Sequence, residues 1–456
     1  MFSSVLIANR GEIALRIARA CRELGVRSIL AHSSADRDSA AARFVDQTVQ
    51  IGPAAARHSY LNAAAIVTAA LQTGADAVHP GYGFLSEDPD FADACEAHNL
   101  AFIGPSATVL AQLGDKALAR DFAARAGLPL LPGSRGALYS GTAAKEVADT
   151  IGYPVIIKAV AGGGGRGMEV VRQPGDFMSS YAETRAVAQS VFGDPRVYVE
   201  RFLDAARHVE VQIMADAHGD VVHLGSRDCS VQRRRQKLIE ESPSPGVPAD
   251  VLDRMSAAAV HCARQAGYTG AGTFEFVMDS DYAWYFMEIN CRIQVEHAVT
   301  ELVTGVDLVR KQIEVASGQR LALRQEDISF QGTAIECRVN AEDPGRGFLP
   351  TPGVLGEFAP PTGPFIRIDT HGFAGMRITP YYDSLLAKVL VWAPDREQGI
   401  SRMDRALSEF RVTGHGVHTT IGFLREVLDH PLFQSGQHST SLVDDMVAGG
   451  RPVPSR

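Results

Sequence analysis

Residues 273–290 constrain the fold more than any other stretch, because they have the pattern of two strands joined by a short acidic turn. If Asp279 pairs with Trp284 across that turn, Glu275 lies directly opposite Glu288. Two opposed carboxylates repel each other and destabilise a hairpin unless a cation lies between them. With oxygen ligands only, that cation should be hard, Mg²⁺ or Mn²⁺ rather than Zn²⁺. The hairpin therefore predicts a metal site.

The second strand of this hairpin continues as an alternating pattern of polar and apolar residues. In an extended chain the polar side chains share one face and the apolar ones lie behind it. A solvated edge strand is the ordinary interpretation, but its face seldom mixes an arginine, amides and single carboxylates beside an opposing glutamate. We therefore predict an active-site face. Its members are Glu288, Asn290, Arg292, Gln294 and Glu296, with Ile289, Ile293 and Val295 behind them.

Charge and cysteine content exclude several classes of protein. Lys and Arg number 44 against 53 Asp and Glu, and the net charge of −9 provides no positive field for nucleic acid or an anionic membrane. The six cysteines include no Cys-x-x-Cys pair, which argues against a zinc cluster or disulfide framework and favours a reducing compartment. No apolar run reaches the roughly 18 residues of a membrane helix, and the chain enters a strand near residue 5 without a recognisable signal peptide. We expect a cytoplasmic protein with no nucleic-acid or membrane partner.

The glycine run at residues 162–167 predicts a phosphate site. Its spacing satisfies Gly-x-Gly-x-x-Gly, but it lies between two strands rather than between a strand and a helix, so a dinucleotide site is rejected. No P-loop motif occurs in the chain. A flexible linker is the ordinary interpretation of such a run, but Lys158 precedes it and Arg166 lies within it, and a lysine in an apolar strand requires an anion. We predict a lid whose loop closes over a nucleotide.

Several blocks of the chain resemble the biotin carboxylases, which are ATP-grasp enzymes. The signature is Glu-Ile-Asn-Cys-Arg-Ile-Gln-Val-Glu-His at residues 288–297, and further blocks run from residues 8–12 to the segment around Asp383. The resemblance implies an α/β and α+β protein with the ATP-grasp fold. Its expected parts are a Rossmann-like N-terminal αβ domain (1–113), a helical linker (114–130), a mobile glycine-rich lid (131–203) and a C-terminal α+β domain (204–456).

The resemblance also implies which residues bind ATP and metal. Lysines and backbone groups are assigned to the nucleotide, and carboxylates to the metal, Mg²⁺ or Mn²⁺. Arg235 stands where the family often has a histidine. The implied cofactor-binding residues are Lys116, Lys158, Gly164, Gly165, Glu200, Arg201, Phe202, Leu203, His208, Gln232, Glu275 and Glu288, and the implied metal ligands are Glu275, Glu288 and Asn290.

The chemistry implied by the resemblance is carboxylation of carrier-bound biotin by bicarbonate and ATP, through carboxyphosphate. Glu296 is the implied base, and Arg338 the cation that stabilises the biotin enolate. Because cations surround Glu296, we expect its pKa to be lowered, so it is a weak base and positioning must contribute much. Without the resemblance, the glycine-rich loop around Tyr82 would be a tight turn with a packing aromatic. The catalytic residues that the resemblance implies are Lys237, Arg292, Glu296 and Arg338, and the implied substrate-binding residues are these four with Gln294, Val295 and Tyr82.

Partners follow from what the chain lacks. It has no Met-Lys-Met biotinylation motif, so either a biotin carboxyl carrier protein and a carboxyltransferase are expected on other chains, in a homodimer or a larger complex, or the chain is an excised piece. The reaction would be the first half-reaction of acetyl-CoA carboxylase or another acyl-CoA carboxylase. The alternatives are another ATP-grasp ligase, joining a carboxylate to an amine, and a catalytically inactive scaffold subunit.

Overall fold

The computed structural model describes residues 1–134, 136–161 and 167–449. The chain opens with a parallel five-stranded sheet in the order β3-β2-β1-β4-β5. Every residue of its first strand is buried, as expected for a parallel sheet covered by helices on both faces. The elements of this part are β1 (Ser4–Ile7), α1 (Gly11–Glu23), β2 (Arg27–Ser33), α2 (Ala40–Phe44), β3 (Gln47–Gly52), α3 (Ala63–Thr73), β4 (Ala77–His79), α4 (Pro89–Ala97), β5 (Ala101–Phe102), α5 (Ala107–Gly114) and α6 (Lys116–Arg125).

A small antiparallel sheet with the order β7-β6-β8 follows, covered by two helices. Val155 and Ile157 are fully buried against Phe177 and Tyr181. The elements are α7 (Gly141–Ile151), β6 (Val155–Ala159), β7 (Met168–Val171), α8 (Phe177–Phe192) and β8 (Val197–Arg201). Most of the glycine run, including Gly164 and Gly165, lies outside the described residues, so its closure over a nucleotide stays a prediction.

The largest element of the fold is an eight-stranded sheet in the order β13-β12-β9-β10-β11-β14-β20-β18. Two smaller sheets, β15-β16 and β19-β17-β21, accompany it. The elements from here to the C-terminal end are β9 (Arg207–Ala215), β10 (Val221–Arg233), β11 (Gln236–Ser242), α9 (Ala249–Gln265), β12 (Gly270–Met278), β13 (Trp284–Asn290), α10 (His297–Thr304), α11 (Leu308–Ala316), β14 (Thr333–Asn340), β15 (Glu342–Asp343), β16 (Leu349–Pro350), β17 (Gly353–Ala359), β18 (Ile366–Thr370), β19 (Arg377–Ile378), β20 (Leu385–Ala393), α12 (Arg396–Glu409), β21 (Arg411–Gly414), α13 (Ile421–Leu428), α14 (Pro431–Gln434) and α15 (Leu442–Ala448).

One face of the large sheet is apolar, and the other carries a group of charged residues. Val209, Val211 and Ile213 of β9 pack on α9, and at the other end of the sheet Val389 and Val391 of β20 pack in the core that includes α12. Because side chains alternate along a strand, the residues between them point to the other face. That face carries the polar residues described below.

The opening αβ domain is packed directly against the large sheet. Ile13 and Ile17 of α1 share one apolar cluster with Met214 of β9 and Ile313 of α11. This packing brings the N-terminal end of α1 to the polar face of the sheet. No helix among the described residues is long and apolar enough to cross a membrane.

In the hairpin at residues 273–290, Glu275 pairs with Glu288 as expected, but the pairing between this point and the turn differs from the prediction. Met278, not Asp279, pairs with Trp284, and a bulge between Glu275 and Phe276 restores the register. Asp279 instead caps the turn, since its carboxylate accepts from the amides of residues 281 and 283. The predicted pairing of Asp279 with Trp284 was therefore wrong, and the pairing of the glutamates was confirmed.

The strand that carries this face ends earlier than we predicted. β13 stops at Asn290, and Glu296 lies at the start of α10 with φ −80° and ψ 9°. The prediction of an extended chain to residue 296 was therefore wrong. The polar side chains still converge, because the irregular segment after β13 bends back over the sheet and directs Gln294 and Glu296 to Glu275 and Lys237.

Candidate active site

A row of charged residues crosses four neighbouring strands on the polar face of the large sheet. Glu288 on β13 is opposite Glu275 on β12, which is opposite Glu210 on β9, which in turn is opposite Arg227 on β10. Glu210 and Arg227 are fully buried and form an ion pair. Three carboxylates in adjacent positions repel each other, so the row requires cations around it.

At Glu275, side chains from several elements compensate the negative charge. Its carboxylate lies 2.9 Å from His208 Nε2 and 3.1 Å from Lys237 Nζ, and it accepts hydrogen bonds from Asn290 (2.6 Å) and Gln294 (2.7 Å). Burial raises the pKa of Glu275, but Lys237 and His208 hold that pKa well below its usual range. Burial lowers the pKa of His208, and the Glu275 carboxylate more than reverses this, so the His208 pKa is raised. Glu275 is thus a preorganised carboxylate.

Lys237 is the central cation of the cluster. Its ammonium lies 2.7 Å from Glu210, 3.1 Å from Glu275 and 2.6 Å from Glu296. Burial lowers the pKa of Lys237, but Cys229 and these carboxylates raise it well above its usual value, so the ammonium stays charged. β10 and β11 are joined by a two-residue turn in which residues 234 and 235 have positive φ, a conformation that is costly for arginine. β11, which carries Lys237, starts directly after this turn.

Glu296 and Arg338 lie at the β14 side of the cluster. Arg338 lies 2.9 Å from Glu296 and forms a second ion pair with the buried Glu240. Burial raises the pKa of Glu296, but Lys237, Arg338 and Arg227 together lower it far below its usual value. The sequence-based expectation of a lowered pKa at Glu296 is confirmed.

Glu240 behaves differently from Glu296. Burial raises the pKa of Glu240 to about 7, against the opposing effect of Arg338 and with a further raising effect of Glu296. It faces Glu336 across the β11–β14 register, and burial and Glu240 raise the pKa of Glu336 well above its usual range. Arg338 therefore lies between one carboxylate whose pKa is lowered, Glu296, and one whose pKa is raised, Glu240.

Replacing Glu240 by glutamine should reduce the pH dependence of stability. Because the Glu240 pKa rises from its usual 4.5 to about 7 on folding, the folded state binds more protons between these values and the stability of the wild type falls as the pH rises through this window. Glu240→Gln cannot ionise, so the decline from pH 5 to pH 8 should shrink by on the order of 1 kcal/mol. Chemical unfolding of both proteins at the two pH values measures this. An equal decline in both would contradict the prediction.

Arg292 links the site to the opening domain. Its Nε donates to Glu87 (2.8 Å) and its Nη2 to Asn290 (3.1 Å), while the amide of Cys291 donates to the other oxygen of Glu87 (2.9 Å). Glu87 follows β4 in the glycine-rich loop, so one carboxylate holds the segment after β13. The same loop presents Tyr82, whose hydroxyl donates to Glu12 at the start of α1 (2.7 Å).

The two lysines predicted to bind phosphates lie on the side of the row where Glu288 is located. Lys116 at the start of α6 lies 2.5 Å from Glu288, and Lys158 on β6 lies 2.6 Å from Glu200 on β8. Burial raises the pKa of Glu200, but Lys158 and Arg120 lower it below its usual value. The anion that Lys158 was expected to require is therefore a carboxylate of the chain itself.

The remaining predicted nucleotide residues lie around this edge. The amides of Arg201 and Phe202 donate to the carbonyls of Pro132 (2.8 Å) and Pro154 (3.0 Å), which fixes the end of β8 and leads into Leu203. Gln232 pairs with Lys237 at the β10–β11 turn.

Oxygen donors at the hairpin fit a hard divalent cation. Glu275 and Glu288 are opposed, and the amide of Asn290 lies between Glu275 and Arg292. Within the described part of the chain, His208, Glu210 and Glu275 form one close group of possible ligands, and Glu210, Cys229 and Glu296 another; Glu288 belongs to neither. In this structure the ammonium of Lys116 neutralises Glu288.

Several residues of the site were not predicted from the sequence. Glu210 had a signal, since it alternates with His208 and Gln212 in a polar register, and Glu12 lies in the family block at residues 8–12. The missed residues are Glu12, Glu87, Glu210, Arg227, Glu240 and Lys388.

Comparison with known proteins identifies the family to which this chain belongs. The model of the biotin carboxylase N-terminal domain matches residues 1–110, that of the carbamoyl-phosphate synthase L chain ATP-binding domain residues 115–324, and that of the biotin carboxylase C-terminal domain residues 336–445. These matches do not favour the alternative of a carboxylate–amine ligase.

Individual relatives are similar to this chain over nearly its whole length. Biotin carboxylase of Nostoc sp. is 50% identical over 98% of this chain and 99% of its own. Rhizobium etli pyruvate carboxylase superposes with a TM-score of 0.93 at 41% identity, covering 100% of this chain and 41% of its own. The biotin carboxylase domain dimer of Hydrogenobacter thermophilus 2-oxoglutarate carboxylase, solved with MgADP, ADP and bicarbonate, superposes with a TM-score of 0.96 at 43% identity, covering 99% of both chains. The chain therefore belongs to the biotin carboxylases, ATP-grasp enzymes that use ATP to carboxylate biotin.

Proposed function

We propose that this chain activates bicarbonate as carboxyphosphate and transfers the resulting CO₂ to biotin on a carrier protein. The observation that carries the proposal is the cluster of Lys237, Glu296 and Arg338, where an ammonium and a guanidinium share one carboxylate (2.6 and 2.9 Å). Such a site offers two fixed cations to small anions, with no reorganisation needed during the reaction.

In the first step an oxygen of bicarbonate attacks the γ-phosphorus of ATP, the bond from that phosphorus to ADP breaks, and ADP leaves. Lys237, Arg292 and the Val295 backbone hold bicarbonate beside Glu296, with Gln294 between them and the metal carboxylates. Because the pKa of Glu296 is far below its usual range, it orients bicarbonate more than it removes its proton. Lys116, Lys158 and the glycine run bind the phosphates.

Glu275, Glu288 and Asn290 would hold Mg²⁺ or Mn²⁺, which when bound supplies positive charge to the phosphates. The support is their donor chemistry and opposition, together with the Hydrogenobacter structure, which was solved with MgADP. Lys116 would then exchange its contact with Glu288 for one with phosphate.

In the second step carboxyphosphate divides into CO₂ and phosphate, phosphate accepts the N1′ proton of biotin, and N1′ bonds to CO₂. Arg338 stabilises the enolate oxygen of biotin, and Tyr82 lies against its ring. Arg338 is suited to this because its side chain is 16% exposed, so it can meet a substrate while two carboxylates hold it in place.

The carrier and the carboxyltransferase would be separate chains or domains, and the acceptor of the carboxyl group is chosen there. Relatives named for pyruvate and 2-oxoglutarate share this fold, so an acyl-CoA such as acetyl-CoA is one of several acceptors compatible with it. A homodimer agrees with the Hydrogenobacter dimer.

The test is ATP hydrolysis with and without bicarbonate, and with and without free biotin. ADP release that requires bicarbonate, with carboxybiotin formed when biotin is added, is the expected result. Bicarbonate-independent hydrolysis would overturn the carboxyphosphate step. No hydrolysis under any condition, in protein shown to bind ATP, would favour the inactive scaffold.

A further inference from the structure

Glu240 on β11 and Glu336 on β14 form a pair of buried carboxyl groups that the proposed reaction does not use. They are opposite each other in the antiparallel register, so both side chains lie on the same face of the large sheet, and both are 0% exposed. Two ionised carboxylates at opposed positions repel each other, and burial away from water adds to the cost. The pair therefore requires a cation or a proton.

The two carboxyl groups differ in their hydrogen-bond partners. Oε1 of Glu240 accepts from Arg338 Nε (2.6 Å), while the buried Oε2 of Glu240 has no hydrogen-bond partner among the described residues. Neither oxygen of Glu336 has a partner in that part of the chain. Arg338 lies two residues along β14 from Glu336, but its guanidinium donates to Glu240 and Glu296 instead. The negative charge of Glu240 is thus compensated by a direct hydrogen bond, and that of Glu336 is not.

The surroundings of Glu336 are apolar. Its neighbour on the same face of β14 is Ala334, and its partner on β20 is Leu390; both are fully buried in a cluster with the first turn of α10. The ammonium of Lys388 on β20 donates to the carbonyl of Val295 (2.7 Å) rather than to Glu336. An ionised carboxylate without a hydrogen-bonded partner is so costly in such surroundings that the group takes up a proton.

The electrostatics of the pair agree with this geometry. Burial raises the pKa of Glu336 well above its usual range; Lys388 opposes this rise, and Glu240 adds to it. Burial also raises the pKa of Glu240, and there Arg338 opposes the rise. Because only Glu240 has a cation as a hydrogen-bond partner, the proton belongs on Glu336. The charged groups that act on the pair are Lys237 of β11, Glu296 before α10, Arg338 of β14 and Lys388 of β20.

We propose that Glu336 is protonated at neutral pH and donates its O–H to Oε2 of Glu240, and that this acid–carboxylate pair positions Arg338 for biotin. A protonated carboxyl group is a donor as well as an acceptor, so one proton supplies the missing partner of Glu240. Glu240 is then fixed at one oxygen by Glu336 and at the other by Arg338. The positioning role rests on the proposed function, whereas the protonation of Glu336 does not depend on it.

Infrared difference spectra between the wild type and Glu336→Gln at neutral pH test the protonation. The carbonyl band of a protonated carboxyl group is separate from the bands of a carboxylate. We expect such a band in the wild type, shifted in D₂O and missing in Glu336→Gln. Glu241→Gln is the matched control and should keep the band, because Glu241 is a buried carboxylate on the other face of β11 with both oxygens bound to Arg396 (2.7 and 2.9 Å).

The positioning role is tested by carboxybiotin formation relative to ADP release. Glu336→Leu fits the apolar surroundings but removes the donor to Glu240. It should lower carboxybiotin formation by about tenfold or more, the effect of one lost hydrogen bond to a charged group, and retain biotin-independent ADP release. Glu336→Gln should keep the wild-type ratio, because its amide N–H donates to Glu240 in place of the O–H.

Each result bears on the proposal. If no protonated carboxyl band is lost in Glu336→Gln, Glu336 is ionised and the proposal is overturned. An unchanged ratio in Glu336→Leu, or an equal loss in both variants, would overturn the positioning role. If Glu336→Leu does not fold, the infrared spectra and the ratio in Glu336→Gln decide. Absence of bicarbonate-dependent hydrolysis in the wild type would overturn the proposed function, while the infrared band would still report the state of Glu336, which distinguishes the two failures.

Discussion

Replacing Arg338 by alanine is expected to reduce biotin carboxylation by about 10²–10³-fold, the usual cost of removing a preorganised donor from a developing oxyanion. A substantial part of the slow, biotin-independent and bicarbonate-dependent ATP hydrolysis should remain, because Lys237 and Arg292 still hold bicarbonate. Arg292→Ala should damage both reactions, since bicarbonate is required in each. Parallel measurement of ADP release and carboxybiotin formation in the two variants tests this division.

Arg396→Ala is the matched control for this comparison. Arg396 pairs with Glu241 as Arg338 pairs with Glu240, and the two arginine side chains are similarly buried, with 20% and 16% exposed. Arg396→Ala should lower the stability of the protein, but it should not change carboxybiotin formation relative to ADP release. If Arg338→Ala lowers both activities by the same factor, Arg338 does not act specifically on biotin.

Glu288→Gln is expected to lose ATP turnover by about 10²-fold or more at saturating Mg²⁺, since removing even an outer partner of a metal ligand costs about 10–100-fold. The fold should persist, because the change removes one of three opposed carboxylates and the Glu288 side chain is 26% exposed. Titration of turnover with Mg²⁺ in both proteins provides the measurement.

Glu357→Gln provides the control for Glu288→Gln. Glu357 is a carboxylate on β17 that is ion-paired with Arg411 at 2.8 Å, and it lies on a sheet outside the site. Its substitution should leave the Mg²⁺ titration as in the wild type. Unchanged turnover of Glu288→Gln would remove Glu288 from the metal site.

The central hairpin and the residues near it could be predicted from the amino-acid sequence. Opposition of Glu275 and Glu288 follows from strand periodicity and a short turn, both of which are local, and it survived an error of one residue at the turn because a bulge compensates. The sequence also predicted that Gln294 and Glu296 share the face of Glu275, but the contacts with Glu275 and Lys237 arise from a bend in the chain rather than from an extended strand. The signature blocks were sufficient for the family.

The residues that surround that hairpin depend on how distant parts of the chain pack together. The register of β12 with β9 places Glu210 beside Glu275, and the packing of α1 on the sheet places Glu12 between Tyr82 and Lys388. Lys388 reaches the carbonyl of Val295 across 93 positions of sequence. Strand order and domain packing depend on the burial of apolar faces over the whole chain, and no local pattern encodes which charged residues they bring together. The compensation of charge in this site is therefore a property of the assembled sheet.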